Sequence, residues 1–240
     1  MRPPAQAMVL AAGRGERMRP LTDATPKPLL PVQGKPLMQW TLEGLARGGV
    51  SSTVINTAWL GAQVPAHFGE RFGTMGLSYS HEGVDFGGAL ETAGGIVRAL
   101  PLLADVFWVA AGDVFAPQFE FRPEAVERFA ASGRLAHLWL VPNPVHNPRG
   151  DFGIAGDGSA LSRPAEGEPG YTFSTIGLYR AAFFAAPRCE IPPGNPAGVK
   201  AALAPMLRTA MAAGQVSAEL YEGAWTDVGT PERLAALNAP

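Results

Sequence analysis

Apolar residues along this chain recur with two periods. Short runs at 8–12, 52–56, 77–80 and 106–110, the second rich in β-branched residues, predict strands. Between them, apolar residues fall at helical spacing. Helices are predicted over 36–47, opened by Pro36 and stopped by Gly48-Gly49, over 61–72, and over 92–100, where Pro101 ends the pattern. The run at 106–110 leads directly into Gly112-Asp113. This alternation predicts an α/β fold, a Rossmann-like doubly wound sheet that is mixed but mostly parallel.

Beyond about residue 115 the rhythm loosens. Pro and Gly thicken between Pro142 and Gly170. Strands are predicted at 135–141, 152–155, 171–179 and 216–221, and helices at 197–213 and 231–237. No internal repeat or low-complexity tract is present. The chain of 240 residues therefore reads as a single domain, 1–240, whose halves, about 7–115 and about 116–240, share one sheet.

Composition narrows the partners. A formal net charge of −2 argues against a general nucleic-acid binder. No apolar stretch approaches the roughly 18 residues of a membrane span, and no signal-type apolar segment precedes the first strand, so a cytoplasmic protein with a short frayed N-terminal extension is expected. The lone Cys189 excludes an internal disulfide and a cysteine-based zinc cage, and reads as a buried, inert thiol.

Chemistry concentrates at 10–32, LAAGRGERMRPLTDATPKPLLPV. Gly13 and Gly15 free backbone amides to approach an anion closely, because no Cβ stands in the way. Arg14, Arg17, Arg19 and Lys27 add positive charge within the same loop, so a polyanion such as a nucleoside triphosphate is the expected ligand. A dinucleotide fingerprint is ruled out because Met18 stands where a third Gly is needed. A P-loop is ruled out because no Gly-Lys-Ser/Thr follows.

The composite Leu10-Ala11-Ala12-Gly13-x-Gly15-x-Arg17-Met18-x-Pro20-Leu21-Thr22, followed by Pro26-Lys27-Pro28-Leu29, resembles the signature of the sugar-1-phosphate nucleotidyltransferases. The resemblance implies a nucleotide-diphospho-sugar transferase type of fold, with the first half binding nucleotide and the second binding sugar phosphate. It also implies a reaction that joins a nucleoside triphosphate to a sugar 1-phosphate, releases pyrophosphate and uses Mg2+. On this likeness Asp113 and Asp227 are metal ligands, Arg17 stabilises the triphosphate and the leaving pyrophosphate, and Lys27 neutralises the reacting phosphates. Taken singly, Asp113 reads equally as a turn cap, Asp227 as a solvated loop acid, and Arg17 and Lys27 as surface charges. Their joint spacing carries the catalytic reading.

The same resemblance places Ala11, Ala12, Gly13 and Gly15 against the nucleotide, with Glu82 and Thr92 near the base; Thr92 reads equally as a helix start. Gly153, Arg163 and Thr175 fall at the sugar-phosphate side. Where relatives commonly carry Glu-Lys-Pro this chain has Ser162-Arg163-Pro164, and a missing acid suits an acceptor that bears its own carboxylate. Residues 54–61, the turn at 91–95 and the compact length are similar to the uridylyl-transferring members that use UTP and a lactyl-bearing amino-sugar phosphate in peptidoglycan recycling. Transfer of guanylyl to mannose 1-phosphate or of another nucleotide to another hexose phosphate, and a non-catalytic nucleotide-sugar sensor, are the alternatives. A monomer is expected.

Overall fold

A computed structural model describes residues 5–239, so the expected N-terminal fray falls largely outside them. Eight strands form one sheet: β1 (Gln6–Leu10), β2 (Ser52–Thr57), β3 (Arg71–Phe72), β4 (Met75–His81), β5 (Val106–Ala111), β6 (Ala136–Val141), β7 (Thr172–Arg180) and β8 (Val216–Leu220). Their order is β8-β6-β7-β5-β1-β2-β4-β3. The pairs β1/β2, β1/β5, β2/β4 and β6/β8 are parallel; β7 is antiparallel to β5 and β6, and β3 to β4. The doubly wound, mixed sheet expected from the sequence is therefore observed.

Alternation along the central strands decides both faces. Met8, Val54 and Val109 point to one side, where α4 (Glu91–Ala99) and α6 (Leu203–Ala212) supply Ile96, Val97, Leu203 and Leu207. Ala7, Val9, Ile55, Trp108 and Ala110 point to the other. There α1 (Leu37–Arg47) brings Met38, Leu42 and Leu45, and α5 (Pro123–Ala131) brings Ala125 and Phe129. A third, smaller cluster joins Met18, Leu30 and Val32 of the first long loop to Val228 and Leu234, the latter on α7 (Pro231–Leu237).

Several elements differ from the sequence reading. β1 ends at Leu10 rather than residue 12, because the Ala11 amide leaves the ladder and donates to Asn56 Oδ1 at 2.8 Å. The helix predicted over 61–72 is only α2 (Gln63–Phe68); Gly69 at φ 65 stops it, and Arg71–Phe72 becomes an edge strand. The helix predicted over 197–213 starts at Leu203. The preceding residues are held extended against the start of α4, where Ala93 and Gly94 amides donate to Ala201 O and Ala201 N donates to Leu90 O. Tertiary hydrogen bonds override helical spacing there. Two helices were not foreseen, α3 (Glu82–Phe86) and α5.

Candidate active site

Strand direction fixes where a ligand can sit. The chain runs from β1 outward through β2 to β4 and then returns to β5 on the other side of β1. Crevices form where strand order reverses in this way, outside the carboxyl ends of the strands. A cavity of about 680 Å3 opens there. It is lined by Ala11, Ala12 and Gly13 after β1, Asn56 at the end of β2, Glu82 after β4 and Asp113 after β5, with Lys27 and Thr92 beside them. Thr175 and Phe173 of β7 close it from the second half.

The Gly loop is shaped by Thr22, which is fully buried. Its hydroxyl donates to Gly15 O at 2.9 Å, while its own carbonyl accepts from Arg14 Nη1 at 3.1 Å and Trp59 Nε1 at 2.8 Å. Gly15 sits at φ 68, and a Cβ there would meet Thr22 Cγ2 at 3.0 Å. The Arg14 guanidinium stacks 3.6 Å above the Trp59 ring. Among the described residues, the amides of Gly13, Arg14 and Gly15 donate to no protein acceptor, which leaves three donors open to a ligand. Arg17 is exposed and makes no ion pair among the described residues. Neither Arg17 nor Gly15 lines the cavity itself.

Lys27 is only 8% exposed, and its ammonium pairs with Asp113 Oδ2 across 86 residues of sequence. Asp113 follows β5 and is joined to Asp227 through a short antiparallel ladder. Thr226–Asp227 pairs with Val114–Phe115, and Val228 N donates to Asp113 O at 3.0 Å. The backbones of the two aspartates are thus one register step apart across adjacent strands. Asp227 lies outside the cavity lining, with Oδ1 paired to Arg233 Nη1 and 3.0 Å from His146 Nε2. No group of three or more His, Cys, Asp or Glu side chains converges among the described residues. Two carboxylates with no further protein ligand suit a hard cation that completes its shell with water and phosphate oxygens.

Glu82 is fully buried, and both of its oxygens accept protein hydrogen bonds, Oε1 from Asn56 Nδ2 and Oε2 from Leu90 N, each at 2.8 Å. Burial pushes its carboxyl above the ordinary range, against the opposing pull of those two donors. Because Asn56 also accepts from Ala11 N, a relay ties the ends of β1, β2 and β4 to the start of α4. The Glu82 side chain thus braces the wall formed by the ends of β1, β2 and β4 as well as lining the cavity.

On the wall that the second half contributes, β7 carries an irregularity between Phe173 and Gly177. Thr175 stands in it at φ 65, a conformation that a β-branched residue rarely adopts. Ser174 anchors the bend: its hydroxyl donates to Trp139 O at 2.6 Å, and its carbonyl accepts from Trp225 Nε1 at 3.1 Å. Gly153 does not line the cavity. It is buried against the Arg163-Pro164 segment, where a Cβ would lie 2.6 Å from Pro164 Cα. Arg163 lines an adjoining cleft of about 400 Å3 rather than the main cavity.

Sequence reasoning missed Arg208, Arg233 and His146. Arg208 sits on the polar face of α6 and has the signature of an ordinary solvated charge. Its contact with Ser162 depends on a fold across 46 residues.

Comparison with known proteins places these features in context. The nucleotidyl transferase family matches over residues 6–164. The N-acetylmuramate alpha-1-phosphate uridylyltransferase of Neisseria meningitidis serogroup B is 46% identical over 98% of this chain and 97% of its own length. The protein of the same name from Caulobacter vibrioides is 32% identical over 98% and 96%. A UTP–glucose-1-phosphate uridylyltransferase from Synechocystis is 40% identical over 45% of this chain and 30% of its own. In structure, a candidate glucose-1-phosphate thymidylyltransferase from Bacillus anthracis superposes with a TM-score of 0.78 at 22% identity, over 98% and 94% of the two chains, which establishes the shared fold. With its Gly loop, its central aspartate and its sheet all within or around the matched region, this chain belongs to the nucleotidyl transferase family.

Proposed function

We propose that this protein transfers a uridylyl group from UTP to N-acetylmuramate α-1-phosphate, forming the nucleotide sugar and releasing pyrophosphate. The observation that carries the reading is the 46% identity to the Neisseria uridylyltransferase along almost the whole of both chains, acceptor half included.

The acceptor phosphate is already anionic near neutral pH, so its oxygen can attack the α-phosphorus of UTP without a general base. A new oxygen–phosphorus bond forms, and the bond to the β-phosphate oxygen breaks. Pyrophosphate departs with that electron pair. The barrier lies in bringing two polyanions into line and stabilising the leaving group. Lys27, held in the cavity wall beside Asp113, supplies fixed charge at the reacting phosphates. The open amides of Gly13 to Gly15 cradle the triphosphate, and the exposed Arg17, which makes no ion pair among the described residues, swings onto the departing pyrophosphate. Mg2+, held by Asp113 and Asp227, would act as Lewis acid and template when bound. The relay from Ala11 through Asn56 to Glu82 holds the loop against base and ribose, with Thr92 at the same wall, while the Thr175 hydroxyl, which donates to Ser174 O, accepts from the sugar.

Pyrophosphate release measured with UTP, GTP, dTTP and CTP against several sugar 1-phosphates tests the reading. UTP with N-acetylmuramate α-1-phosphate is expected to give the highest kcat/KM. Preference for GTP with mannose 1-phosphate would overturn it, and nucleotide binding without any pyrophosphate release would favour a sensor.

A further inference from the structure

We infer that the cleft beside the main cavity is a carboxylate subsite for the acceptor, with Arg149, Arg163 and Arg208 as its specificity-determining residues. The inference rests on the acceptor class proposed above. Asp151 and Arg208 line both the cleft and the main cavity, so the two spaces adjoin across these side chains.

Arg208 is fixed by neutral partners. It donates to Ser162 O at 2.5 Å and to Ser162 Oγ at 3.1 Å, and its guanidinium stands 5.1 Å from the Phe152 ring centroid. Its position is therefore set while its charge stays uncompensated. Arg149 and Arg163 are exposed at the same hollow, and their side chains make no ion pair among the described residues. Asp151 is the one carboxylate that lines the cleft, and it faces neutral donors: Oδ2 accepts from Phe173 N at 2.9 Å and Oδ1 from Asn147 Nδ2 at 3.2 Å. Three guanidinium groups thus share one hollow with a single carboxylate that pairs with none of them. Like charges held together repel, and a bound anion relieves that repulsion.

The identity of the anion follows from position and shape. The triphosphate-facing residues Lys27 and Gly13 line the main cavity and not the cleft, whose walls all come from the acceptor half. Guanidinium forks match a planar carboxylate with paired hydrogen bonds. With the reacting phosphate at Lys27, a sugar substituent directed across Arg208 enters the cleft. The 3-O-lactyl carboxylate of muramic acid is such a substituent, and N-acetylglucosamine lacks it.

The test crosses two enzymes with three acceptors. Wild type and Arg208→Met are assayed with N-acetylmuramate α-1-phosphate, with the same acceptor bearing an amide in place of its carboxylate, and with N-acetylglucosamine 1-phosphate. Arg208→Met is expected to raise KM for the acid acceptor at least about tenfold. KM for UTP and the kinetics of the other two acceptors should stay within about twofold, a scale set by non-interacting contacts. Arg149→Met should repeat the pattern more weakly. Equal losses on all three acceptors, or an unchanged KM for the acid, would overturn the arginine assignment alone. Wild-type turnover of N-acetylglucosamine 1-phosphate with none of either muramate acceptor would overturn the acceptor class and this subsite together.

Discussion

Lys27 and Asp113 form an ion pair at the base of the cavity, the first from the loop after β1 and the second from the end of β5. The pair is asymmetric: the lysine side chain is 11% exposed and the aspartate 39%. Removing the carboxylate therefore strands a buried ammonium, whereas removing the lysine leaves an acid that water can reach. Asp113→Asn keeps an oxygen that can still accept from Lys27. It should lower stability by no more than about 1–2 kcal/mol while cutting kcat about a hundredfold or more. Denaturant melts beside pyrophosphate-release rates check this, and near-normal kcat would remove Asp113 from the reacting centre.

Gly95 lies against the buried Glu82–Asn56 hydrogen bond. A Cβ there would stand 2.6 Å from Glu82 Oε1 and 2.9 Å from Asn56 Nδ2. Neither group can retreat without breaking the relay. Gly95→Ala is expected to cost about 1–3 kcal/mol despite the helix-favouring change, and to raise KM for UTP. A stabilised variant with unchanged KM would show that the relay does not brace the nucleotide loop.

Glu82 also sets a pH dependence. Its carboxyl is raised above 4.5, chiefly by burial. The folded state then binds more protons than the unfolded state between 4.5 and the raised value, so stability falls as pH rises through that window. Below 4.5 this contribution is complete. Glu82→Gln abolishes the slope but sets an amide NH2 against Asn56 Nδ2 or Leu90 N, at about 1–3 kcal/mol. Unfolding free energies for both proteins between about pH 4 and 8 should therefore differ least at the upper end. A difference independent of pH would exclude Glu82 as the titrating group.

Thr175 keeps a left-handed backbone at φ 65 while its hydroxyl donates to Ser174 O at 2.5 Å. Relieving a strain of about 1–2 kcal/mol with Gly, offset by glycine's greater unfolded-state freedom, predicts a change within about 1 kcal/mol of zero. Thr175→Gly should nevertheless raise acceptor KM several-fold more than KM for UTP. Equal shifts in both constants would place Thr175 away from the sugar.

The strands, the helices and their α/β alternation were readable from the chain alone, because apolar alternation and helix punctuation depend on near neighbours. Strands at 52–56 and 106–110 and the helix at 231–237 stand where local pattern put them. The Gly loop and the chemistry around Lys27 were legible for the same reason, as one contiguous stretch. Tertiary structure decided what spans long separations. It turned Glu82 into a buried brace, took Gly153 out of the cavity wall, shortened the helix before Leu203, and set Arg208 against Ser162. Glu82 meets Asn56 across 26 residues and Arg208 meets Ser162 across 46, while Ala201 meets Leu90, Ala93 and Gly94 from more than a hundred residues away; no local period encodes such meetings.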